Sequence, residues 1–576
     1  MNAEKFQDRS YRVSVDNISA GWNTRSYPHL IPDNSLSVAD NVVFYRDGLV
    51  SKRPGNETYG YPTTLGGGLV GTGDPVLSMT RFYYGNPVVG TLLVQSGNSI
   101  YKGNDTTGVF ALIGSGVGSQ PVSWAPMWNP DFPGGPLMGM FFTDGANIPF
   151  VTNGAGLHSV KTGVIGGVQF LPNDNITGAP ITPRYCCVWG QSLVYASTPT
   201  EPQGMWISDP LDPERFTPVS FLSPSALTPY NAWYPGGRDG PLGSITGMAT
   251  LGPYLLVFFQ AGIVTCINTG TYGAFQFQFQ RVSSSVGAKS PRSIVAFDTF
   301  VAFFGGDRFY ATDGQTVEPL VDTIPTVYSP ISLSNNPPLI KNPATVFAVR
   351  RSNLYITSYD ALGAGVLNQI AVLDLAANGG YTFGGSYQTA AGAGGAWSRW
   401  PTGMNMGSAV ECRGDGDVFQ LYWGSSINDQ VAQHDVGTYD DFGAAIAMEV
   451  RTKSFFFEHP INPKTVERLY PLLVFDTRAP SYSSLSTPYV YLDAEQDSAV
   501  VQVVAMIVQT GTLYGAADYG TFVYASAGGV QQQSPVAYPA YPSLGRSVAF
   551  GIVENSKNPF NLIGFVAEYV EDPPTP

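Results

Sequence analysis

Between residues 77 and 435 the chain repeats one phrase: an apolar run, a turn, a second apolar run, then a cluster of Gly, Asp or Asn. The clearest copy is residues 245–280. There, 245–249, Tyr254-Leu255-Leu256-Val257-Phe258-Phe259, Ile263-Val264-Thr265-Cys266-Ile267 and the alternating Phe275-Gln276-Phe277-Gln278-Phe279-Gln280 read as four strands in succession. Related copies occupy 79–102, 137–152, 184–208, 293–314, 345–375 and 408–433. They recur at roughly 40 to 60 residues, the period of four-stranded propeller blades. The expected fold is therefore all-β: a propeller of about six or seven blades over residues 77–435. A string of small sandwiches would produce a similar rhythm.

Composition supports strands. Charged residues make up 12% of the 576, while Gly (66), Pro (45), Tyr (32) and Phe (33) are abundant. The best helical candidate, 370–377, runs into Gly379-Gly380 and reads as a strand and a turn. Beyond residue 435 the rhythm breaks. Longer apolar runs at 465–475, 489–492, 499–508, 548–553 and 562–570 fit an antiparallel sandwich over 436–576. Residues 1–76 form a third region, an extended arm and hairpin followed by a Gly-rich stretch, TTLGGGLVGTGDP, with too little apolar content to pack.

The formal net charge of −14 argues against a protein that grips nucleic acid by neutralising phosphates. It suits a conduit past which a duplex slides, and ordinary solubility explains it equally well. Four cysteines (Cys186, Cys187, Cys266, Cys412) and a polar start, MNAEKFQDRS, read as buried free thiols in a protein made in a reducing cytoplasm. Strand alternation sends the adjacent Cys186 and Cys187 to opposite faces. The most apolar segment, 254–267, is broken by Gln260 and Gly262 and is too short to span a membrane.

The arm carries the most individual pattern. Gly21-Trp22-Asn23 leads to Leu30-Ile31-Pro32, a polar step to Asn41, and the strand-like Val42-Val43-Phe44-Tyr45. Arg46-Asp47-Gly48 supplies a turn that accepts positive φ, 49–53 returns as a second strand, and Pro54-Gly55 ends it. In order and spacing, Gly21, Asn23, Thr24, Pro32, Asn41, Val42, Gly48, Leu49, Arg53, Pro54 and Gly55 resemble the start of the tail nozzle proteins of short-tailed bacteriophages, the tail tubular protein B type. A second, weaker resemblance lies in the step to Thr452-Lys453-Ser454-Phe455-Phe456-Phe457, like the passage from propeller to sandwich in that family. The resemblance implies a structural protein of the virion tail, six copies in a ring below a portal-bound adaptor ring. It further implies tail fibres or tailspikes nearby and DNA in transit through a channel that opens for ejection. Trp22, Asn23, Pro32, Asn41, Asp47, Gly48, Arg53, Pro54 and Gly55 become the assembly candidates. The arm itself reads as lying outside the repeats, docked on the propeller, the sandwich or a neighbouring subunit; its hairpin is a candidate outer or closing strand.

No catalytic constellation stands out, and no cofactor or metal is expected. The four histidines, His29, His158, His434 and His459, lack partners at metal-ligand spacing, and His434-Asp435 reads as a turn. There is no G-x-S-x-G elbow or Walker loop. Arg413-Gly414-Asp415-Gly416-Asp417 lacks the carboxylates of a calcium cage and reads as a tight turn. Asp209, Asp212 and Glu214, with Trp206 nearby, could stack and cleave a sugar, so a propeller enzyme or lectin acting on host polysaccharide is the alternative reading. A fibre-attachment module of the same virion is another.

Overall fold

The computed structural model describes residues 10–24, 29–45, 48–61, 68–84, 89–133, 135, 137–165, 168–174, 176–216, 232–237, 240–269, 277–321, 323–324, 340–377, 380–383, 394–401, 404–413, 419–457, 464–475, 485–492, 500–502, 506–507, 524–525, 531–533 and 547–571. Among them the fold is all-β, interrupted by two short 3-10 turns at Pro291–Ser293 and Pro343–Thr345. Its strands form successive antiparallel units of propeller type.

The first unit is Val76–Tyr84, Val89–Ser96, Ser99–Gly103 and Phe110–Ser115; the second is Ser123–Asn129, Leu137–Thr143, Phe150–Thr152 and Leu157–Ser159. Tyr185–Trp189, Ser192–Ala196 and Met205–Ile207 make the third, with three strands only. The fourth is Ile245–Leu251, Tyr254–Phe259, Ile263–Asn268 and Phe277–Ser283. The fifth begins at Val295–Ala296 and ends at Val317–Pro319, and the sixth runs from Phe347–Arg351 to Ala396–Trp400. The last comprises Met406–Arg413, Phe419–Ser425 and Val431–His434. The first strands of these units lie side by side in chain order, and Met406–Arg413 returns against Val76–Tyr84.

Burial explains the strand sequences. A second strand such as Tyr254–Phe259 is apolar at nearly every position because both of its faces pack on neighbouring units. Leu255, Val257 and Phe259 fill the cluster toward the third unit, while Leu256 and Phe258 fill the one toward the fifth. The outer strand Phe277–Ser283 keeps its alternation, since one face meets solvent. Cys186 and Cys187 follow the same rule: Cys186 packs toward the second unit and Cys187 toward the fourth.

The N-terminal segment supplies five strands: β1 (Ser10–Asp16), β2 (Leu36–Asp40), β3 (Val42–Phe44), β4 (Val50–Lys52) and β5 (Asn56–Thr58). They enter three sheets. β1 and β4 pair antiparallel with Asn561–Glu571, and β3 pairs with β4. β2 lies between the sixth unit, through a parallel bridge Asp40↔Arg399, and Met448–Thr452 of the C-terminal region. β5 pairs antiparallel with Val431–His434 as the fourth strand of the last unit.

Three expectations change accordingly. The arm does not lie outside the repeats, because β5 completes one. The closing strand is β5 and not the hairpin, whose sequence runs directly into it. The Gly-rich stretch, expected to have too little apolar content to pack, does pack at 69–72: Val70 is buried, Leu69 bridges Gln430, and the Gly71 and Thr72 N–H groups donate to Asp429 at 2.6 and 2.9 Å.

The C-terminal strands build two facing sheets. One holds Lys464–Phe475 and Asn561–Glu571 with β1, β3 and β4; the other holds Met448–Thr452, Val548–Glu554 and Leu485–Leu492 and continues through β2 into the sixth unit. One apolar cluster runs through both regions, joining Phe304, Phe309 and Trp397 to Val42, Val450, Phe550 and Phe565.

A chain beginning at residue 61 would expose Val431–His434 as an open edge and strip the shared core of one wall. The expected outcome is loss of soluble, cooperatively melting protein, read by size exclusion and near-UV circular dichroism. A soluble truncation melting like the full chain would contradict the pairing.

Candidate functional site

The arm's distinctive residues converge where β5, the last unit and the C-terminal region meet. Arg53, immediately after β4, is fully buried. Its Nε donates to Asn41 Oδ1 at 2.9 Å and its Nη1 to the Pro54 carbonyl and Asp441 Oδ1, both at 3.0 Å. Nη2 donates to Asp441 Oδ2, completing a two-pronged ion pair. The guanidinium lies 5.4 Å from the centre of the Trp400 ring.

Asn56, in β5, extends the network. Its Nδ2 donates to Asp441 Oδ1 at 2.5 Å, and its Oδ1 accepts from Trp423 Nε1 at 3.1 Å and faces His434 Nδ1 at 3.0 Å. Because Oδ1 is an acceptor, His434 carries its proton on Nδ1, leaving Nε2 as a bare acceptor; that atom is buried without a partner. His434 is thus the buried end of a strand and not the turn residue expected from His434-Asp435. Burial, with Arg351 and Arg53 nearby, holds it well below the ordinary histidine value of 6.5.

Two further ion pairs flank this knot. Lys52 and Glu554 are both fully buried and meet at 2.8 Å, with Lys52 Nζ also donating to the Ser556 carbonyl. Burial lowers the Lys52 pKa in spite of Glu554. Arg399 donates Nε and Nη2 to the two Asp40 oxygens at 2.8 and 2.6 Å and lies 5.6 Å from the centre of the Trp22 ring. Each pair joins the arm to an element far away in sequence.

Backbone constraints explain the small residues. Asn41 has φ 56°, which an Asn tolerates, and its Nδ2 donates to the Ala447 carbonyl at 2.6 Å. A Cβ on Gly55 would lie 1.9 Å from the Asp440 carbonyl oxygen, so no other residue fits where the chain entering β5 passes 438–441. Gly21, at φ +79°, would place a Cβ 2.8 Å from Ala396 and Trp397.

The remaining candidates have separate places. Trp22 is buried, its N–H donating to the Trp397 carbonyl at 2.7 Å; Asn23 is half-buried, with its N–H on the Leu36 carbonyl. Pro32 is exposed on a turn, and Gly48 closes the hairpin against Asn17. Asp47 lies outside the described residues. Every contact named here is within one chain. Sequence reading missed Lys52, Asn56, Trp400, Trp423, Asp441 and Glu554. The one available signal was a Lys-Arg pair adjoining a strand in a chain so poor in charge.

The loop with Asp209, Asp212 and Glu214 is organised differently from a sugar platform. Trp206 is 1% exposed, and Glu214 is buried, accepting from Asn129 Nδ2 at 2.6 Å and the Lys161 N–H at 2.9 Å. Asp212 is raised by burial and by Asp131. Residues 414–417 of the Arg-Gly-Asp-Gly-Asp stretch lie outside the described residues. Among the described residues no three His, Cys, Asp or Glu side chains group as metal ligands, and no helix is long and apolar enough to cross a membrane.

No family model matches the chain, and no curated protein matches it. Solved structures with partial similarity include BBS1N in complex with ARL6DN, at 10% identity over 64% of this chain and 94% of that one, with a TM-score of 0.37. YCF48 from Cyanidioschyzon merolae shows 11% identity over 66% and 98%, with a TM-score of 0.34. The extracellular domain of the two-component system protein BT4673 from B. thetaiotaomicron shows 11% identity over 88% of this chain, which spans 61% of that domain, with a TM-score of 0.39. With identities and TM-scores this low, none of them carries an activity, ligand or partner over to this chain.

Two outcomes follow for the knot. Arg53→Met leaves Asp441 charged and buried, and is expected to lower stability by about 3–5 kcal/mol in urea denaturation, with Arg53→Lys restoring little because a lysine cannot form the fork. His434 gives a pH signature. Its folded pKa lies below 6.5, so on acidification the unfolded chain takes up the proton first; the stability is complete above that value and is lost as pH falls through it. Urea midpoints should drop between about pH 7 and pH 5, and His434→Asn should flatten that drop. An unchanged slope would show that other groups set it.

Proposed function

We propose that this chain is a structural subunit of a short bacteriophage tail, of the nozzle type, with its repeated units closed as a seven-bladed propeller. The observation that carries the reading is the arm: four of the residues that the site uses under tight constraint, Gly21, Asn41, Arg53 and Gly55, belong to the pattern whose order resembles nozzle proteins. Arg53 is buried in a network, Asn41 takes positive φ, and Gly21 and Gly55 fill spaces where a Cβ cannot go. These constraints read as a way of closing a ring, with β5 as the clasp.

Mechanically, the role needs stiffness. A subunit whose first and last units are joined by a clasp, and whose propeller and sandwich share one core, transmits load as one body. The net charge of −14 suits a wall past which DNA slides without sticking. Exposed apolar side chains, among them Leu112, Trp128, Val164 and Ile165 on the first two units and the hairpin after them, suit packing against a neighbour.

Electron microscopy and native mass spectrometry of the purified protein, alone and with its adaptor ring, test the reading. Rings, expected to be hexameric, support it, and Leu112→Asp with Val164→Asp should disperse them. A lasting monomer in both settings would overturn it. Rings that form only around a fibre would favour the fibre-attachment role instead.

A further inference from the structure

The first strands of the units converge on a cavity of about 270 Å³ at the middle of the ring. Six of the units contribute to its wall, and its polar lining includes Ser78, Ser123, Arg184, Tyr185 and Arg292. Among the described residues no carboxylate lines it. The serines are already engaged: Ser78 Oγ donates to Gln95 Oε1 at 3.0 Å, and Ser123 Oγ donates to the Cys186 carbonyl at 2.9 Å.

The two arginines are not neutralised. Arg184 Nη1 donates to the Asp144 backbone carbonyl at 2.6 Å, a neutral partner that fixes the side chain and leaves its charge in place. Arg292 follows a Pro at the start of a 3-10 turn, and its guanidinium lies 5.0 Å from the centre of the Phe347 ring. Its Nη2 is buried with no hydrogen-bond partner. Burial and the charge of Arg184 push its pKa down to about 10, so each guanidinium raises the cost of the other. Buried guanidinium groups are ordinarily paired, and an orphaned N–H beside a second cation in a cavity is matched by a ligand with anionic oxygens.

We propose that this axial cavity binds a small oxyanion, a phosphate or carboxylate group held between Arg292 and Arg184. A guanidinium fork matches the paired oxygens of either, and the ring on which Arg292 rests fixes the plane from which the fork points. The volume admits a small molecule and excludes a nucleic-acid duplex, so the site is separate from any passage of DNA. The inference needs no particular oligomer and stands apart from the tail reading.

Calorimetric titration of the full chain with inorganic phosphate, and separately with malonate, tests it. Saturable binding of at least one is expected, and the tighter of the two tells a phosphate source from a carboxylate source. Arg292→Gln should weaken that binding at least tenfold, with Arg292→Lys between the two. The wild-type melting temperature should rise with the anion, a readout that requires no variant to fold. The Arg292→Gln protein, freed of an unpaired buried charge, should melt no lower than the anion-free wild type. The proposal is overturned if neither anion binds saturably below about 10 mM, or if Arg292→Gln binds as tightly as the wild type.

Discussion

A guanidinium out of reach of water needs hydrogen-bond partners, and Arg53 finds them in Asn41, Pro54 and Asp441. Asn41 takes the Nε proton, Pro54 supplies a carbonyl, and Asp441 takes the fork from 388 residues away. Trp400 covers the face. Satisfying Asp441 in turn brings in Asn56, and Asn56 brings in Trp423 and His434. Removing a member of such a network strands a charge or a dipole in a low-dielectric interior. The network therefore specifies one arrangement of β5 against the last unit more sharply than apolar packing alone could.

That arrangement has a topological consequence. The clasp joins a strand near the start of the chain to one made after nearly all of the repeats, so the ring closes late and over a long loop. Until then the edge of Val431–His434 is open and the arm has no sheet to enter. The flanking ion pairs, Lys52 with Glu554 and Asp40 with Arg399, then fasten the same segment to the C-terminal sheets and the sixth unit. One stretch of fewer than fifty residues thus enters the last unit, the sheet of the sixth unit and both C-terminal sheets.

Much of this was legible in the sequence, for physical reasons. Strands with both faces buried show as apolar runs, so 254–259 and 263–267 stood out. The alternation that separates Cys186 from Cys187 was also readable. What escaped were pairings between distant segments. β5 is three residues long, Asn-Glu-Thr, with no apolar pattern at all, because its hold comes from backbone pairing and from Asn56. His434 looked like a turn residue since its neighbour Asp435 does take φ 65°, while its own burial depends on Trp400 and Asn56. The Gly-rich stretch looked too poor to pack, and its residues 68–72 are held by backbone pairing to 108 and 429–431 and by donation to the Asp429 carboxylate. The alternative of a sugar platform at the Asp209 loop drew on Trp206, whose inward position the sequence does not reveal.

The central claim is that the N-terminal segment is an integral clasp, opening only when the ring and the sandwich open. Native-state hydrogen exchange, followed by mass spectrometry on peptides covering 36–60, 406–434 and 448–452, measures this directly. The account predicts that the three regions share the slowest class of exchange and lose protection together as denaturant is added. Early exchange of 36–60, with 406–434 and 448–452 still protected, would contradict it and reduce the segment to an appendage.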